Sequence, residues 1–125
     1  MRTTLLLGAM VGLLLVNAPQ TANQRYVWMG DGHSLWSWCD KTIQSQQLIS
    51  NDDRFRGHFC LGYIYGIIDM AKRPGQPRSF CIPPNMAMDE TIREMVLDLK
   101  AHPKELYERA EVLATDSLER TFPCK

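Results

Sequence analysis

Four cysteines, three histidines and two runs of adjacent carboxylates carry most of the chemical options in this 125-residue sequence. The cysteines stand at Cys39, Cys60, Cys81 and Cys124. A tetrahedral zinc site built from them would call for closely spaced ligand pairs, and no C-x-x-C or H-x-x-x-H occurs. A C-x-x-C-H haem attachment is missing too. An even number of cysteines in a short exported chain reads instead as two disulfides. Three pairings are open, and the favoured one is Cys60–Cys81 with Cys39–Cys124. That pairing would tie the second helix to the loop after it, and the first helix to the C-terminus. Cysteines so locked cannot act as nucleophiles.

The other candidates point away from catalysis. His33, His58 and His102 fall on a loop, a helix and a helix junction, and no carboxylate is fixed by spacing beside any of them. Asp52-Asp53 and Asp89-Glu90 each precede or open a helix, where capping and the helix dipole account for them. Asp69 lies on a helix dominated by apolar residues, within reach of Arg73, and is the carboxylate least explained by position. No G-x-S-x-G, H-E-x-x-H or phosphate-binding glycine loop is present. The expectation is a protein that binds rather than catalyses, with no cofactor and no metal.

The segment preceding these residues sets the compartment. Met1-Arg2-Thr3-Thr4 is a short positive lead, residues 5–16 run apolar, and Asn17-Ala18-Pro19-Gln20-Thr21-Ala22 is a small polar exit. That order is the pattern of a secretory signal peptide, and the apolar run is short for a membrane span. Cleavage after Ala18 fits the small-x-small rule, although Pro19 follows it directly; cleavage after Ala22 is the second candidate, with Gln20 where a small residue is preferred. The expected organisation is therefore a signal peptide at 1–22, an irregular segment at 23–34 and a helical domain at 35–125, in the periplasm. Setting Arg2 aside leaves 13 basic against 14 acidic residues. Without a basic surplus, nucleic acid is not the expected partner. Nor is stable membrane insertion expected once the leader is removed.

Four helical segments position the candidates. Ser34 is a good N-cap for a first helix with Leu35, Cys39, Thr42, Ile43, Gln46 and Ile49 on one face. A second helix over residues 53–72 carries the widest apolar stripe, including Phe59, Cys60, Ile64, Ile67 and Ile68. Gly62 and Gly66, four apart on it, suggest close approach of a neighbouring backbone. Two prolines and a glycine make Arg73-Pro74-Gly75-Gln76-Pro77-Arg78-Ser79 a loop. Pro83-Pro84-Asn85 opens a third helix with Met88, Ile92, Met95, Val96 and Leu99 inward. Pro103 suits the first position of a fourth, with Leu106, Ala110, Leu113, Ala114, Leu118 and Phe122 inward. The fold class expected is all-α, a small four-helix domain with two disulfides. Trp36 and Trp38 lie about 200° apart on the first helix and cannot both face the core, so one is a candidate contact residue.

Several blocks, taken together, resemble a known family. Cys60-Leu61-Gly62-Tyr63-Ile64-Tyr65-Gly66-Ile67-Ile68-Asp69 is similar to the C-x-G-Y-I-x-G-x-x-D block of the Tai-type (Rap-type) immunity proteins. Phe80-Cys81-Ile82-Pro83 resembles their F-C-x-P block. His102-Pro103 and Phe122-Pro123-Cys124 match their H-P junction and terminal F-P-C. The blocks keep their order over about residues 35–124. The resemblance implies a periplasmic all-α domain, often a homodimer, that protects a bacterium from a peptidoglycan amidase delivered by type VI secretion. It further implies that a loop near the last two helices plugs the amidase groove. Here that junction reads as very short, from Ala101 to Lys104, which offers His102 and Lys104 as contacts. Arg73 and Arg78 offer a second polar surface. A periplasmic stress or chaperone-like helical protein, binding many clients in acid, is the alternative from the same size and disulfide content.

Overall fold

A computed structural model describes residues 28–45 and 47–125. The leader read at 1–22, and residues 23–27 of the irregular segment after it, lie outside the described residues. Four α-helices follow in order: α1 (Gly32–Thr42), α2 (Asn51–Ala71), α3 (Met88–Ala101) and α4 (Ala110–Thr121), with a 3-10 turn at Pro103–Glu105 before the last. No strand occurs among the described residues, only an isolated bridge between Asp31 and Arg109. None of the described helices is long and apolar enough to cross a membrane.

Local chemistry explains the starts of α1 and α2. Several boundaries differ from the sequence reading: α1 ends at Thr42, short of Ile49, and α3 begins at Met88, beyond Pro83-Pro84-Asn85. Asp31 rather than Ser34 caps α1, its carboxylate accepting the Ser34 N–H at 2.9 Å. That hydrogen bond holds the Asp31 carboxyl below its usual range. Ser50 caps α2 by accepting the Asp53 N–H at 3.1 Å, and Asp52 and Asp53 fill its first turn. The larger difference is at the fourth helix. Pro103 starts only a 3-10 turn, because the chain beyond it serves another element. Leu106 O accepts the His33 N–H at 3.1 Å and Glu108 O accepts the Gly32 N–H at 2.9 Å. These are N-terminal donors of α1 that have no partner inside their own helix. The linker at residues 102–109 thus completes α1, and α4 begins only at Ala110.

The core lies where all four helices meet. Leu35 and Cys39 of α1, Cys60, Ile64 and Ile68 of α2, Ile92, Met95, Val96 and Leu99 of α3, and Leu113, Ala114 and Leu118 of α4 are buried there. Close approach of α1 and α2 is set by Gly57. A Cβ built there would meet the Lys41 carbonyl carbon and the Thr42 nitrogen at 3.2 Å, and the Thr42 hydroxyl donates to Gly57 O at 3.0 Å. Gly62 and Gly66 do not play this part. A Cβ at either would meet nothing within 4 Å. Both are exposed on α2, with no neighbouring backbone against them.

Two disulfides are present, and they correct the favoured pairing. Cys39 joins Cys60, with Cα atoms 5.1 Å apart, and Cys81 joins Cys124, with Cα atoms 4.9 Å apart. The first follows from α1 and α2 lying side by side with both cysteines on the shared face. The second follows from the extended return after the 72–80 loop, which runs beside the end of the chain. There the Cys81 N–H donates to Phe122 O at 2.7 Å. Residue 39 is sealed against α2, so Cys124 has no approach to it.

Candidate functional site

The expected contact residues do not form one patch. Trp36 and Trp38 are both half-buried against the core. Trp38 packs edge-on against Phe59 at 5.2 Å between centroids, with the Arg56 guanidinium 6.0 Å from its ring. The Trp36 indole N–H is buried without a hydrogen-bond partner. Trp38 therefore serves the α1–α2 junction, Trp36 packs against the core, and neither stands out from the surface as an anchor.

His102 belongs to a polar latch. Its Nδ1 lies 2.8 Å from Asp98 O and 3.3 Å from Asp98 Oδ1. Arg120 donates to both Asp98 carboxylate oxygens, at 2.7 Å for the shortest, and reaches Glu105 at 3.1 Å. Burial pushes the Asp98 carboxyl up, but hydrogen bonds from Arg120 and the Ser117 hydroxyl, with the Arg120 charge, outweigh it and hold the group below its ordinary range. The Asp98 hydrogen bonds in turn raise Arg120. The latch pins the end of α3, the 3-10 turn and the end of α4 together. It positions the linker and leaves Lys104 exposed on it.

The linker carries a feature that residue spacing alone did not single out. Tyr107 is 81% exposed, although its neighbour Leu106 is buried. His33 meets its ring edge-on at 4.9 Å. Arg109 is also exposed and pairs with Glu111. A short segment held by backbone hydrogen bonds on one side and by the latch on the other thus displays an aromatic ring between two basic residues. The available signal was Tyr107 itself: on a helix with Leu106, Ala110 and Leu113 inward, a tyrosine at 107 must point out.

The family block on α2 lines a groove of about 750 Å³ between α2, the 72–80 loop and α4. Gly62, Gly66 and Ile67 lie along one side, Arg73 on the loop, and Glu111 on α4. Tyr63 is half-buried beside them, and burial pushes its hydroxyl up. Asp69 is exposed and makes no ion pair with Arg73 among the described residues. Arg78 is exposed on the same loop. Pro83 and Pro123 are exposed beside the second disulfide, Pro103 opens the 3-10 turn, and Phe122 is buried under the return. His58 is exposed on α2. Among the described residues, no group of three or more His, Cys, Asp or Glu side chains could hold a metal ion.

Together these features define a class: a small, all-helical domain held by two disulfides. The chain belongs to the Rap1a immunity proteins, whose family model matches residues 31–124. Neither the curated proteins nor the solved structures gave a match. Membership implies a cognate secreted toxin as partner, and proteins of this family are in general not enzymes.

Proposed function

We propose that this protein is exported to the periplasm by a leader within residues 1–22 and there neutralises a peptidoglycan amidase delivered by type VI secretion. Inhibition is by occlusion: the 102–109 linker enters the active-site groove of the amidase and excludes its substrate. The family match over residues 31–124 carries the reading. The linker supports it, because an exposed Tyr107 flanked by Lys104 and Arg109 is the residue chemistry of an interface anchor. Its backbone is already fixed by the bonds to Gly32 and His33, so little ordering entropy opposes docking.

The test pairs the purified, oxidised protein with amidase toxins from type VI loci of the same and neighbouring bacteria, at neutral pH. One amidase is expected to lose peptidoglycan cleavage when the proteins are mixed at equal concentrations. Tyr107→Ala is expected to weaken that complex by about 2 kcal/mol or more, the range of an interface hot spot. Inhibition of no amidase, or capture of many unrelated proteins only in acid, would sink this reading.

A further inference from the structure

A second cavity, of about 200 Å³, lies between the end of α2, the extended return after the loop and the start of α3. Its floor is Ile68 and Phe80, both buried, with Ile82, Met86 and Met88 half-buried around them. Two cations complete the lining: Lys72, which caps the end of α2, and Arg78. Both are exposed, and among the described residues neither forms an ion pair. No acidic residue lines the cavity. Lys72 offsets the dipole at the C-terminus of α2, which accounts for a cation at that point. Arg78 belongs to no helix, so that explanation does not reach it. It precedes Cys81, whose crosslink to Cys124 and N–H bond to Phe122 O hold the return in place.

Apart from those two side chains, the walls offer a ligand little to bond. Pro83 and Pro84 have no N–H to give. The Cys81, Met86 and Thr91 N–H groups are spent on Phe122 O, Pro83 O and Ala87 O, and that of Lys72 on carbonyls of α2. The Thr91 hydroxyl donates to Ala87 O at 3.1 Å. A peptide bond, a sugar or a base placed there would bury polar atoms without partners, at about 1–3 kcal/mol each. The occupant that fits has one anionic head and a body with no other polar atom. Volume limits that body. The cavity is smaller than the roughly 300–1,000 Å³ of sites that enclose a drug-sized ligand. At the ~30 Å³ that a water molecule takes up in the liquid, it holds about six or seven heavy atoms. A carboxylate suits the head, because the planar guanidinium fork pairs with two oxygens at once.

We propose that this cavity binds a medium-chain aliphatic carboxylate, its chain on Ile68 and Phe80 and its head between Lys72 and Arg78. The site is separate from the 102–109 linker and does not rest on the function proposed above.

Amide spectra of the isotope-labelled, oxidised protein test this during titration with straight-chain carboxylates from butanoate to dodecanoate, each kept below its micellising concentration. Octanoate is expected to shift the Ile68, Arg78 and Met88 amides. Up to about that length, each added methylene is expected to tighten binding about fourfold, the factor for ~0.8 kcal/mol per buried CH₂. Longer chains are expected to add little, because the cavity is then full. Octylammonium, the same chain with the opposite charge, is expected to bind at least tenfold more weakly. The Lys72→Gln/Arg78→Gln variant is expected to lose at least tenfold in octanoate affinity while keeping its thermal unfolding transition, since both side chains are exposed. Affinity that keeps rising to dodecanoate, equal binding of octylammonium, or an unaffected double variant would overturn the proposal. So would shifts elsewhere, or none. A short peptide ending in a free leucine carboxylate that shifts the same amides more tightly than octanoate would also overturn it, giving the cavity to the C-terminus of a polypeptide.

Discussion

A methyl group added at Gly57 would meet the Lys41–Thr42 backbone at 3.2 Å, whereas one added at Gly62 would meet nothing within 4 Å. The two alanine variants should therefore separate in urea unfolding. Gly62→Ala should gain about 0.5–1 kcal/mol from helix propensity. Gly57→Ala should lose stability, because overpacking against backbone costs about 1–3 kcal/mol and outweighs that gain. Asp98 gives a pH-dependent counterpart. Its carboxyl sits below the ordinary value of 3.8 in the folded protein. Its contribution is therefore complete above the ordinary carboxylate range and disappears as pH falls through the depressed folded value. Asp98→Asn should lower the unfolding free energy at pH 7 by roughly 1 kcal/mol, given the partial exposure of Arg120. The gap to the parent protein should close in strong acid. A constant gap from pH 7 down to pH 2 would show that the Asp98–Arg120 bond is not what stabilises this corner.

At the scale of elements, the 102–109 linker and α1 depend on each other. A Cβ at Gly32 would meet the Leu106 Cα at 2.8 Å and the Leu106 oxygen at 2.9 Å, as well as the Leu113 side chain. Gly32→Ala should destabilise the fold by about 1–3 kcal/mol. It should also displace Tyr107, so that amidase affinity falls even though Gly32 lies outside the proposed contact. The same segment marks the limit of what could be read from sequence. The apolar periodicity of α2 and α3 placed both helices to within a few residues, since their stripes face one core. Leu106 also fits the α4 stripe, and its helical spacing hides that its carbonyl is spent on His33. A backbone partner of that kind leaves no trace in residue type. The glycines on α2 misled for a related reason. The i, i+4 pattern marks a place where something can come close, but does not say whether it comes from inside or outside the molecule. The cysteines announced crosslinks, and only the side-by-side packing of α1 on α2 chose between the pairings.

Over the whole molecule, the two crosslinks differ in environment. Cys39–Cys60 is sealed in the core, while Cys81 and Cys124 are exposed. With sequence separations of 21 and 43 residues, each is worth about 3–4 kcal/mol on a chain-entropy estimate. Dithiothreitol under native conditions should open Cys81–Cys124 first, read by alkylation and mass spectrometry, and leave Cys39–Cys60 until the domain unfolds. Loss of both together would mean that the core bond is reached through a fluctuation as frequent as exposure of the outer one. Replacing Cys81 and Cys124 by serine should lower stability by up to those few kcal/mol. It should also loosen the Phe80 wall of the groove before it affects the linker.

The order of the crosslinks along the chain has a consequence for biogenesis. The cysteines are joined in the order in which they occur, first with second and third with fourth, and neither ring encloses the other. A polypeptide threaded N-terminus first into an oxidising compartment presents its thiols one at a time. An oxidase that simply couples whichever two have most recently emerged would produce the native set. Maturation should therefore proceed at full yield in cells that lack a disulfide isomerase, a freedom that the interleaved or nested arrangements of four cysteines do not have.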